Sequence, residues 1–97
     1  MKYKMKVTIA NPNLHEEINI ERDFVLDCVF CYNPDTYGNG YYVSIKGKDF
    51  YPLSYDIRYD LSFDRGNKKK WLEEWARSYW TGKDGAWAIK SLEIVNA

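Results

Sequence analysis

All four tryptophans of the chain, Trp71, Trp75, Trp80 and Trp87, fall within one short C-terminal stretch. Tryptophan has the most area to bury of any side chain and is also a favoured interface anchor. Any fold must therefore either close a core with this segment or keep some of its aromatic surface for a partner. The pattern predicts a helix over about 68–81, with Trp71, Leu72, Trp75, Ala76, Tyr79 and Trp80 on one half of the wheel and Lys70, Glu73, Glu74, Arg77 and Ser78 on the other. Asp64 or Asn67 is expected to cap its start, and Gly82 to end it in a left-handed cap.

Upstream the period changes from helical to twofold. Lys2 to Ala10 alternates Tyr3, Met5, Val7 and Ile9 against Lys2, Lys4, Lys6 and Thr8, a half-buried strand. Asn11-Pro12-Asn13 turns the chain, and Leu14, Ile18 and Ile20 share a parity that suggests a second strand. Phe24 to Tyr32 is apolar on both parities except at Asp27, as expected of a central strand covered on both faces. After the loop Asn33 to Gly40, Tyr41 to Lys46 returns as a strand closed by Gly47, and Pro52 is expected to break the run that follows. Tyr55, Ile57, Tyr59, Leu61 and Phe63 alternate with Asp56, Arg58, Asp60 and Ser62. Lys83-Asp84-Gly85 makes a turn, and Trp87 to Val95 is a closing strand whose parity slips near Ser91, as a bulge would require.

The order is β-β-β-β-β-α-β, with the second and third strands open to merging. This is a single α+β domain over residues 1–97: an antiparallel sheet of five or six strands with one helix on one face. Its 97 residues are enough for one core without metal or disulfide staples. No apolar stretch approaches the ~20 residues of a membrane span, and MKYKMKVTIA lacks a signal-peptide core, so the expected location is cytoplasmic.

Fourteen basic residues balance fourteen acidic ones, which excludes the simplest electrostatic nucleic-acid binder. Locally the balance breaks. Residues 2–6 are basic, 16–27 mostly acidic, and 65–90 mostly basic; folding either segregates these blocks or interleaves them.

Groups suited to catalysis are few. Cys28 and Cys31 spell CxxC, but on a strand positions i and i+3 face opposite sides roughly 10 Å apart, so two buried reduced thiols are expected. His15, the one histidine, stands beside Glu16 and Glu17 in a geometry that does not aim all three inward. Asp56 and Asp60 lie ~13 Å apart along a strand with Arg58 between them, which suits a salt-bridged ladder better than a carboxylate pair. No catalytic residue, metal site or cofactor is expected.

Two binding surfaces stand out instead. Tyr37, Asn39, Tyr41 and Tyr42 surround the Gly38-Asn39-Gly40 tip, large rigid rings among adaptable polar groups, with Arg58 and Asp60 as a polar rim. Lys68, Lys69 and Lys70 occupy the first helical turn, where the macrodipole disfavours cations; with Lys83 they form the candidate phosphate-contacting set. The first surface implies a non-enzymatic module for a protein partner, the second a nucleic-acid binder using aromatic stacking.

The run KKKWLEEWARSYWTGKDGAWAIKSLEIV, residues 68–95, resembles the ends of small orphan accessory proteins carried by bacteriophages and mobile elements of gut Firmicutes. The resemblance rests on a Trp-rich helix, a Gly-Lys-Asp-Gly turn and a final strand. It implies an accessory or counter-defence role exerted on a host protein surface, and carries over no functional residues.

Overall fold

The computed structural model describes residues 1–10, 20–35, 40–57, 67–82 and 87–97. Five strands and one helix are formed: β1 Lys2–Ala10, β2 Glu21–Tyr32, β3 Tyr41–Gly47, β4 Phe50–Asp56, α1 Lys68–Thr81 and β5 Ala88–Asn96. The sheet order is β4-β3-β2-β1-β5, with every neighbouring pair antiparallel. The α+β architecture expected from the residue pattern is thus present, with four strands before the helix among the described residues. Leu14, Ile18, His15, Tyr59 to Asp64 and Lys83 to Gly85 lie outside the described residues.

β4 and β5 occupy opposite edges and run parallel, so α1 must cross the sheet between them. Ring contacts give its direction. Trp71 meets Phe30 and Tyr55, while Trp80 meets Phe24 and Phe50. The helix therefore runs opposite to β2, β4 and β5. Its buried residues are Leu72, Trp75, Ala76 and Trp80. Against them lie Tyr3, Met5, Val7 and Ile9 of β1, Leu26, Cys28 and Phe30 of β2, and Val43 and Ile45 of β3. Each large aliphatic or aromatic side chain taken from water here contributes about 1.5–3 kcal/mol.

Several expectations need correction. β2 is central in the sheet, yet among the described residues one amphipathic helix covers one of its faces. Val25 on the other face is 51% exposed. Pro52 does not break the chain. β4 runs through it, and two residues, Tyr51 and Pro52, stand opposite Lys46 between the register pairs Gly47↔Phe50 and Ile45↔Leu53. Proline is tolerated here because the strand is an edge and the position is a bulge, so its missing N–H is not required by the ladder. The strand begins at Phe50 rather than Tyr55, and within the described residues it ends at Asp56.

Gly82 does not adopt a left-handed cap: its φ is −67° and its ψ −176°. Glycine is required there by space. A Cβ would lie 2.2 Å from the Ser78 carbonyl oxygen. Asn67 stands at the N-cap position but its side chain makes no capping bond, and its carbonyl accepts only the first helical bond, from Trp71 N–H at 3.0 Å. Tyr79, assigned to the buried half of the wheel, is 45% exposed, with its ring stacked on Trp75. The slip in β5 is real: Thr8 pairs Ser91 and Ile9 pairs Ile89, leaving Lys90 as the extra residue.

Candidate functional site

The open face of the sheet interleaves the charge blocks of the sequence. Lys4 lies 3.9 Å from Asp27, Thr8 Oγ1 donates to Asp23 at 2.7 Å, Lys90 pairs with Glu21, and Lys6 stands opposite Glu93 in register. Cross-strand pairs of this kind stabilise modestly and alternate the two signs among the described residues. An open groove of about 450 Å³ on this face is lined by Lys6, Thr8, Asp23, Val25, Ser91 and Glu93 among others. It mixes both charges.

The cysteines behave as strand geometry dictates, with one revision. Cys28 points into the core and is fully buried; burial first, and the nearby Asp27 carboxylate second, push its thiol up to about 12. Such a thiol stays protonated and inert at neutral pH. Cys31 is on the opposite face and only half-buried, so the expectation of two buried thiols holds for Cys28 alone. Among the described residues no three His, Cys, Asp or Glu side chains gather at metal-binding distances.

The tyrosine surface is built at the start of β3. Gly40 has φ +94°, and a Cβ there would lie 2.8 Å from the Tyr32 ring, 3.0 Å from Pro34 Cα and 3.1 Å from the Asn33 carbonyl oxygen. Only glycine meets both demands. Its carbonyl accepts from Asn33 N–H at 2.8 Å, closing the chain reversal after β2. The Asn33 side chain accepts from Asp35 N–H at 3.1 Å on the way in. One residue on, the Tyr41 carbonyl accepts from Ile57 N–H at 3.3 Å. The β2–β3 connection and the chain leaving β4 are thereby fastened to adjacent residues, Gly40 and Tyr41.

Of the six residues assigned to protein contact, Tyr37, Asn39, Arg58 and Asp60 lie outside the described residues. Tyr41 and Tyr42 are described and point to opposite faces. Tyr41 is on the helix side, its ring 4.8 Å from that of Tyr32; Tyr42 is on the open face, across from Asp56. Tyr32, 60% exposed, is the residue that sequence reasoning missed. It continues the inward parity of Phe24, Leu26, Cys28 and Phe30 and so reads as core. The available signal is its position directly before Asn33-Pro34, where the strand outruns its cover.

Lys68 to Lys70 open α1, and no acidic residue shares their turn. Lys83 lies outside the described residues. Since Trp71 sits over Phe30 and Tyr55, the lysines ahead of it stand at the Tyr32–Tyr41 end of the sheet. Lys69 itself lies on the β5 side, lining a groove with Glu73, Arg77, Leu92 and Ile94. No family model matches this chain, and searches of curated proteins and of solved structures likewise return no match.

Proposed function

We propose that this protein is a small non-enzymatic binding module that acts by occupying the surface of a protein partner. The contact end centres on Tyr32, Tyr41 and Tyr42, and Tyr37, Asn39, Arg58 and Asp60 join the proposal on the sequence alone. The observation that supports it most is the fastening of two sequence-distant segments to Gly40 and Tyr41, beside the exposed Tyr32 ring. Tyrosine offers large rigid contact area with a wet hydroxyl and little rotamer entropy to lose. No helix among the described residues is long and apolar enough to cross a membrane.

The resemblance of residues 68–95 supports a setting in which the partner is a host protein in the cytoplasm and the chain is an accessory or counter-defence factor of a phage or mobile element. Affinity capture from a bacterial host lysate tests the reading. The wild-type chain is expected to recover one protein in stoichiometric amount, and the Tyr32→Ser/Tyr42→Ser variant, still folded by circular dichroism, to lose it. No stoichiometric protein, or equal recovery by the variant, removes this proposal.

A further inference from the structure

The two edges of the sheet differ in what they offer a further strand. At β4 the Tyr51–Pro52 bulge interrupts the edge, and Pro52 has no N–H to give. β5 is regular after its own bulge at Lys90. Ala97 N–H donates to the Lys2 carbonyl at 3.1 Å, and antiparallel ladders alternate, so Ser91, Glu93 and Val95 turn their backbone groups to β1. The N–H and C=O of Leu92, Ile94 and Asn96 therefore point away from the sheet, and among the described residues no strand takes them. Such a row of donors and acceptors is a template for another extended chain.

Beside this edge α1 sets a charged rim. Lys69, Glu73 and Arg77 of α1, with the half-buried Leu92 and Ile94 of β5, line an open groove of about 210 Å³. Along the rim the signs run plus, minus, plus at four-residue spacing, one helical face. We infer that edge and groove take a second copy of this chain, β5 against β5, antiparallel about a two-fold axis. The second copy brings the same rim reversed, so an offset of one helical turn sets Glu73 of each copy against a base of the other, Lys69 or Arg77. In the register centred on Ile94, Ile94 meets Ile94 and Leu92 meets Asn96, which pairs all three outward residues of each strand. A register centred on Glu93 would set two carboxylates face to face. Because Pro52 and its bulge close the β4 edge, pairing stops at two copies and does not propagate.

Sedimentation equilibrium of the whole chain tests this. The wild type is expected to rise from 11.5 kDa towards twice that mass as its concentration passes through the micromolar range. Asn96→Pro removes an outward N–H and leaves the β1 ladder whole; it is expected to weaken the dimer about tenfold. Glu73→Lys makes the rim wholly basic, and Lys69→Glu/Arg77→Glu makes it wholly acidic. Each rim variant alone is expected to dimerise about tenfold more weakly than wild type, and an equimolar mixture of the two to regain the dimer. All three variants are expected to keep the wild-type circular dichroism spectrum, since the changed residues are exposed. A wild-type chain that stays at 11.5 kDa throughout overturns the inference. So does a dimer indifferent to Asn96→Pro and to both rim variants, or a pair of rim variants that does not recover on mixing.

Discussion

The two ends of the aromatic layer under α1 are built from the same residue types and differ in what they leave open. At the Trp80 end, Phe24, Phe50, Trp75, Tyr79 and Trp80 interlock with ring centroids 5.1–6.4 Å apart. Only Tyr79 among them reaches solvent to a large extent. At the Trp71 end the rings thin out: Trp71, Tyr55 and Tyr41 are half-buried, and Tyr32 is exposed. Aromatic content alone therefore says nothing about role. The far end concentrates stability, and the near end leaves the Tyr32 ring largely in water.

The largest expected effect breaks the comparison most directly. Trp75→Ala removes a ring in contact with Phe50, Tyr55, Tyr79 and Trp80, and should cost about 3–5 kcal/mol in urea unfolding. Tyr32→Ser, with most of its ring already wet, should cost under about 1 kcal/mol. Similar losses at both positions would erase the distinction between the ends. Trp75→Phe sharpens it: the indole Nε1 is buried with no hydrogen-bond partner, so losing it relieves about 1–3 kcal/mol of unmet desolvation and offsets part of the lost area.

Between the ends, Cys28 reports how dry the middle of the layer is. Its thiol is an acid whose folded value, about 12, lies above the ordinary 9.0. The folded chain keeps its proton where the unfolded chain releases it. Stability from this group is therefore full below pH 9 and falls as pH rises towards 12, by about 1.4 kcal/mol per pH unit. Denaturant melts of wild type and Cys28→Val across that window should diverge by this slope. At neutral pH a thiol reagent should label Cys31 and spare Cys28 until the chain unfolds.

The parts legible in the sequence are those set by periodicity. Strict alternation from Lys2 to Ala10 marks β1 in full, and the spacing of Trp71, Leu72, Trp75, Ala76 and Trp80 delimits α1 at Lys68–Thr81. What escaped depends on neighbours that periodicity cannot see. Pro52 is acceptable because β4 proves to be an edge and bulges opposite Lys46. Gly82 answers to the Ser78 carbonyl rather than to its own dihedrals. Val25 and Val29 read as doubly covered because β-branched residues suit a pleated surface whether or not a second layer exists. That Trp71 lies over Phe30 and Trp80 over Phe24 follows from the direction in which α1 crosses the sheet, which no local pattern encodes.

Gly40→Ala probes the near end alone. A side chain there is strained by the positive φ and collides with the Tyr32 ring and the backbone of Asn33 and Pro34. A loss of about 1–3 kcal/mol is expected, with the fluorescence of Trp75 and Trp80 in the folded state unchanged. A shift in that emission would mean that the two ends move together.

The smallest effect concerns the start of α1. A bonded N-cap is typically worth about 1 kcal/mol, but the Asn67 side chain makes no such bond, and three lysines follow it where acids would favour the dipole. Asn67→Ala should therefore change stability by less than about 0.5 kcal/mol, read from urea midpoints at low salt. The helix is anchored by Trp75 and Trp80 at its far end and left unoptimised at the end that faces the proposed partner. A full capping loss on Asn67→Ala would show the near end to be as tightly specified as the far one, and the lysines would then need a structural explanation.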